Sequence, residues 1–201
     1  MKPATVIFDM GNVILPFDPL KPGQVLAEMT GRTARECVRS IYDNKLEYRF
    51  EMGEIDGRQF TEGSNEVLGL SMTEQYWRSL WSDMFSENEQ ISGLVRQLRP
   101  HHRLILLSNT NQWHYEYALA TFPIISEFDH HVLSFEVHAM KPEIAIYEAA
   151  LRKAGDHLPA VFIDDIEANA LGAEQAGIKG IWFRSAEQLR NDLIDLGCDL
   201  D

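Results

Sequence analysis

The stretch VIFDMGNVIL, residues 6–15, reads as a buried strand that delivers an acid and then breaks into a turn. Val6, Ile7 and Phe8 form the apolar run, Asp9 stands at its carboxyl end, and Gly11 and Asn12 interrupt it. Ligands of open α/β sheets bind beyond the carboxyl ends of the strands, so a carboxylate at that point is placed for chemistry. With a turn of free backbone N–H groups after it, Asp9 can act as a nucleophile beside an anion cradle. The plainer alternative is an Asp that caps the next element.

Outward from this strand, further β-rich runs at 103–107, 131–134, 161–163 and 180–183 alternate with helical patterns. That alternation predicts an α/β fold, a parallel sheet flanked by helices. Between the first two strands lie about ninety residues without a strand, far more than one crossover helix requires. Thr33 with Glu36, Ser71 with Glu74, and Ser86 with Glu89 have the spacing of capping boxes and predict three helix starts. Trp77, Leu80, Trp81 and Met84 form one helical stripe, and Ile91, Leu94, Val95 and Leu98 another. The expected organisation is a catalytic core of residues 1–15 and 86–201 with a small α-helical cap, 16–85, inserted into it. A helix over 86–99 returns the chain to the core and stops at Pro100. Pro142 suits the first turn of a later helix that Gly155 ends.

Composition narrows the function. The 201 residues carry 31 acids against 18 bases, a net charge of −13 that repels a nucleic-acid backbone. No apolar run approaches the roughly 18 residues of a membrane span, and a cytoplasmic protein is expected. Cys37 and Cys198 have no paired spacing, which makes them packing residues rather than a disulfide or a zinc site. The neighbouring pairs His101–His102 and His130–His131 suit no helical metal site and read as turn or strand residues.

Three more strand ends carry polar groups. LILLSNTN, 104–111, runs into Ser108 and Asn109, whose hydroxyl, amide and backbone donors suit a phosphate oxygen. Lys141 precedes Pro142 at a helix start, where an ammonium and a helix N-terminus both favour an anion. VFIDDIEANALGAEQAG, 161–177, places Asp164 and Asp165 side by side after an apolar strand. Adjacent carboxylates repel, and a shared cation relieves them; a helix N-terminus that welcomes acids would explain one of the pair more readily than both.

Taken in order, these four segments resemble the motifs of the haloacid dehalogenase-like hydrolases. The similarity spans the chain and is nearest to small sugar-phosphate phosphatases with an FDxGNV opening and to the phosphatase domains of epoxide hydrolases. It implies a Rossmann-like core and a helical cap. It also implies an Mg²⁺-dependent phosphatase for a small-molecule phosphate monoester, acting through an aspartyl phosphate. By the same resemblance, Asp9 is the nucleophile and Gly11, Asn12, Ser108 and Asn109 bind phosphate. Lys141 stabilises charge and contacts phosphate, while Asp9, the Gly11 carbonyl, Asp164 and Asp165 hold the metal. Charge counting agrees, because three carboxylates against one ammonium leave an excess of −2 that a divalent cation removes. Oxygen donors suit Mg²⁺ better than zinc.

One position departs from the resemblance. Most phosphatases of the superfamily place a second Asp two residues after the nucleophile, to protonate the leaving alcohol; Gly11 stands there. General acid–base help is worth roughly 10² to 10⁴ in rate. A sugar 1-phosphate, whose hemiacetal leaves more readily than an alkoxide, fits a site without that acid. A dehalogenase on the same fold and a weakened phosphate-binding or regulatory protein are the competing readings. Trp77 and Trp81 could line the substrate entrance, but their stripe favours packing. Tyr48, Arg49 and Glu54 fall where the cap could read a substrate hydroxyl.

Overall fold

A computed structural model of the protein describes residues 2–200. Five strands, β1 (Thr5–Phe8), β2 (Arg103–Ser108), β3 (His130–Leu133), β4 (Ala160–Asp164) and β5 (Lys179–Trp182), form one parallel sheet in the order β3-β2-β1-β4-β5. Each lies within two residues of the run its sequence predicts. Residues of β1 alternate between the two faces of the sheet: Val6 and Phe8 enter one apolar core and Ile7 the other. Both faces are covered, as a parallel sheet requires.

Register decides where the acids meet. Phe8 pairs with Leu106 on one side and Ile163 on the other, so β1, β2 and β4 end level. Asp9 N–H donates to Ile163 O at 2.9 Å, which sets Asp9 beside Asp164.

Helices α1 (Leu20–Thr30), α2 (Ala34–Asp43), α3 (Leu46–Glu51), α4 (Gly57–Leu68) and α5 (Glu74–Ser82) lie between β1 and α6 (Glu89–Leu98). They share a third apolar core, in which Phe60 meets Phe50, Trp77 and Trp81 at ring-centroid distances of 5.1, 6.1 and 5.8 Å. Trp77 and Trp81 are fully buried there, as packing residues. Trp113 joins the same core from α7 (Gln112–Thr121), 5.5 Å from Phe60. A Cβ on Gly57 would lie 2.5 Å from its ring, so only glycine permits that approach. No helix among the described residues is long and apolar enough to cross a membrane.

Helix starts differ in two of three cases. Thr33 closes the expected capping box with Glu36, whereas α5 is capped by Thr73 and α6 by Asn88. In both, a second capping residue lies nearer the apolar stripe, and Glu74 and Glu89 move into the first turn, where the helix dipole still favours them. Pro142 also differs. It occupies a turn closed by Glu143 N–H on Met140 O at 2.7 Å, and helix α9 (Ile144–Ala154) starts after it, ending at Gly155. The remaining helices are α8 (Ser134–Val137), α10 (Glu167–Gln175) and α11 (Ala186–Asp195), and a short 3₁₀ turn covers Pro123–Glu127. Cys37 and Cys198 are free and buried.

Candidate active site

Lys141 is the centre of the site. Its Nζ lies 2.7 Å from Asp9 Oδ1 and 2.7 Å from Asp164 Oδ2, with all three side chains nearly inaccessible. The Phe162 ring lies 5.4 Å below the ammonium. Burial disfavours the charged lysine, but the two carboxylates outweigh it and hold Lys141 above its ordinary value. Burial likewise pushes the Asp9 carboxyl up to about 7, with Lys141 opposing the rise and Asp164 and Asp165 adding to it. Asp164 Oδ1 accepts from Ile166 N–H at 2.8 Å and Asn169 Nδ2 at 3.0 Å, which fixes its plane. Asp165 is half-buried, and its carboxyl is raised first by that burial. Asp9, Asp164 and Asp165 each offer an oxygen, all within 4.8 Å of one another.

The loops around this cluster use more of their polar groups internally than their sequences imply. Met10 N–H donates to Asp9 Oδ1 at 2.7 Å, so one carboxylate oxygen is held by two donors while Oδ2 has no protein donor among the described residues. Asn12, at φ 53°, donates its N–H to Leu15 O at 3.1 Å and its amide to Asp165 Oδ2 at 3.2 Å. It braces the acid cluster with one of its two amide N–H groups. Asn109 is engaged as well: its Oδ1 accepts from Lys141 N–H at 2.8 Å and its Nδ2 donates to Lys141 O at 3.1 Å. That two-bond clamp aims the lysine. Ser108 Oγ makes only a long 3.3 Å contact to Asn109 O and lies in the wall of a small cavity that reaches Gly11. Lys141 therefore points at two carboxylates from a loop, rather than standing at the first turn of a helix.

The far wall of that cavity comes from the helical module. Glu47 and Glu51, one turn apart on α3, face it together with Tyr42 and Phe17. Glu47 is almost fully buried, and its two oxygens accept from Trp81 Nε1 at 2.7 Å and Asn111 Nδ2 at 2.8 Å. Burial raises its carboxyl to about 7, and those two donors oppose the rise. His114 donates from Nε2 to Trp81 O at 3.1 Å and accepts from Asn111 at Nδ1, an arrangement of the neutral ring. Burial accordingly lowers it to about 4. Tyr48, by contrast, is exposed, and Arg49 and Glu54 pair with each other on the surface at 3.6 Å. Glu47 and Glu51 carry a signal in the sequence that strand-end reasoning passes over: two acids at i and i+4 on a helix face flanked by buried Leu46 and Phe50.

A sequence model of the haloacid dehalogenase-like hydrolases matches residues 3–177, and the chain belongs to that family. A family enzyme from Bacteroides thetaiotaomicron, solved in complex with magnesium and inorganic phosphate, is 24% identical and superposes with a TM-score of 0.79 over 90% of this chain and 93% of that one. A predicted hydrolase of the family from Porphyromonas gingivalis is 21% identical, with a TM-score of 0.77 over 96% and 98% of the two chains. L-2-haloacid dehalogenase from Xanthobacter autotrophicus, with chloropropionic acid covalently bound, is 16% identical, with a TM-score of 0.65 over 97% and 83%. At these identities the three share the fold with this chain.

Proposed function

We propose that the protein is an Mg²⁺-dependent phosphatase that hydrolyses a small phosphate monoester, with a sugar 1-phosphate as substrate class, through an aspartyl phosphate on Asp9. The observation that carries this reading is the cluster itself: three carboxylates within 4.8 Å of one another, with one buried ammonium to offset them. The donor set is all oxygen and its charge excess is about −2, which fits a hard divalent cation. Asp9, Asp164, Asp165 and the Gly11 carbonyl would hold the metal, which when bound supplies charge neutralisation for the phosphate and the carboxylates. The magnesium and phosphate bound by the Bacteroides enzyme support that choice of ion and ligand.

In the proposed reaction Asp9 Oδ2, the oxygen without a protein donor, attacks phosphorus as the bond to the leaving oxygen breaks. Lys141 holds Oδ1 and offsets the charge. Ser108 Oγ lines the cavity and donates to a phosphate oxygen, and Asn109 keeps Lys141 aimed. Water then attacks phosphorus, the bond to Asp9 breaks, and inorganic phosphate leaves. Helices α1–α5 serve as the cap, because α3 supplies one wall of the cavity. A lid of this kind selects substrate and excludes water.

The test is phosphate release from a panel of esters, with Mg²⁺ and with EDTA, by the wild type and Asp9→Asn. Steady Mg²⁺-dependent release, and a fall of roughly 10⁴ or more in Asp9→Asn, is expected. Equal release by Asp9→Asn would reject the nucleophile. Aspartyl phosphate that forms once without turnover would favour a binding protein.

A further inference from the structure

The phosphatase reading leaves the leaving oxygen without a proton donor on its own loop. Gly11 has no side chain to offer, and a Cβ there would lie 3.2 Å from the Phe17 ring, which fills the adjacent space. The cavity that Gly11 opens into is walled on the other side by Glu51. Unlike Glu47, whose two oxygens are both engaged, the Glu51 carboxyl makes no hydrogen bond or ion pair among the described residues.

The backbone that carries it is nonetheless fixed. Ser134 Oγ accepts from Thr110 N–H at 2.9 Å and donates to Glu51 O at 2.6 Å, linking the last residue of α3 to the loop that follows Ser108. One residue on, Met52 O lies 2.9 Å from His138 Nδ1. Gly53, at φ 67°, passes so close to Phe135 that a Cβ would lie 2.3 Å from its carbonyl oxygen. The end of α3 is thereby pinned to the sheet side of the cavity, and Glu51 lines that cavity together with Gly11 and Ser108.

We propose that Glu51 gives the leaving oxygen its proton and later takes one from the attacking water, in place of the side chain that Gly11 lacks. The proposal rests on the phosphatase reading. In the first step the Asp9–phosphorus bond forms and the bond from phosphorus to the leaving oxygen breaks. That oxygen takes the Glu51 proton and departs as an alcohol, leaving a carboxylate. In the second step the Glu51 carboxylate takes a proton from water as the water oxygen bonds to phosphorus. The bond to Asp9 breaks, the Asp9 carboxylate is restored and phosphate leaves, with Glu51 protonated again.

The groups around Glu51 favour the protonated start. Burial first, then Glu47 and Asp9, hold its carboxyl well above the ordinary range, with Lys141 opposing. Tyr42 on α2 and the neutral His114 on α7 complete the titratable groups of the cavity.

The test uses the full chain with Mg²⁺ and two probes: p-nitrophenyl phosphate, whose leaving group needs no proton, and an alkyl phosphate, whose leaving group does. In single-turnover experiments, Glu51→Gln should keep p-nitrophenol release within about tenfold of wild type and lose roughly 10² to 10⁴ on the alkyl ester. The fall in alkyl-ester activity at high pH that wild type shows should vanish in Glu51→Gln and persist at a lower rate in Glu51→Asp. Equal losses on both esters with an unchanged pH profile, in either variant, would make Glu51 a packing residue and overturn the proposal alone. A wild type that releases phosphate from neither ester nor from a sugar 1-phosphate, and matches Asp9→Asn, would overturn the phosphatase reading and this one with it.

Discussion

Replacing Lys141 by Met keeps an unbranched side chain of similar length and removes the charge. Each of its two contacts at 2.7 Å corresponds to about 6 kcal/mol of Coulomb attraction at an effective dielectric of 20. Desolvation of the buried ammonium takes back several kcal/mol, and breaking a buried pair from one side leaves a net loss of about 3–5 kcal/mol. For a chain of this size that is a drop of roughly 6–20 °C in melting temperature. Protonation of the orphaned carboxylates limits the damage, so the loss should be smaller at pH 5 than at pH 8. Thermal melts in EDTA measure it, and added Mg²⁺ should recover part of it, because a divalent cation meets the same charge excess. A Lys141→Met variant that melts within 1–2 °C of wild type at pH 8 in EDTA would refute the picture of two buried carboxylates bridged by one ammonium.

Two further outcomes are expected. Asp9 and Glu47 keep their protons to about pH 7 in the folded chain, against ordinary values of 3.8 and 4.5. Between those limits the unfolded state binds fewer protons, so their contribution to stability is complete below about pH 4 and is lost as pH rises through 7, by up to about 1.4 kcal/mol per pH unit for each group. Melting temperature in EDTA should therefore fall from pH 5 to pH 8 and flatten with Mg²⁺; a steady rise over that window would contradict the raised acids. Gly180→Ala would place its Cβ 2.2 Å from Ala170 O, and strain against backbone of this kind costs about 1–3 kcal/mol or more. Urea denaturation should show that loss, and an unchanged midpoint would mean that α10 does not press on β5 as described.

The sheet and its acids were legible because each signal is local. An apolar run ending in Asp9, and another ending in Asp164 and Asp165, state both the strand and the group it delivers, and the strand-end rule then brings them together. Side-chain direction was not legible at Asn12 and Asn109. Both have the donors a phosphate needs, and only the loop geometry shows that one amide N–H of each is turned onto Asp165 or Lys141, and the Asn12 backbone N–H onto Leu15. The helix starts at Thr73 and Asn88 were displaced for a related reason: two capping residues compete within three positions, and tertiary packing selects one. Glu51 escaped because the rule collects residues from the sheet alone, whereas this acid arrives on a six-residue helix of the inserted module.

Trp113 has a consequence for traffic in and out of the cavity. It belongs by sequence to the sheet side, yet its ring is buried among the aromatics of the inserted helices. Swinging those helices away as a rigid flap would bare a side chain whose burial of 150–250 Å² is worth about 4–6 kcal/mol. The flung-open form would then make up only about one molecule in 10³ to 10⁴. Burial of Trp113 thus opposes a wide swing of these helices away from the small cavity that Gly11, Ser108 and Glu51 line. On the phosphatase reading, that favours a phosphate carried on a small molecule over one borne on a polymer or a folded protein surface.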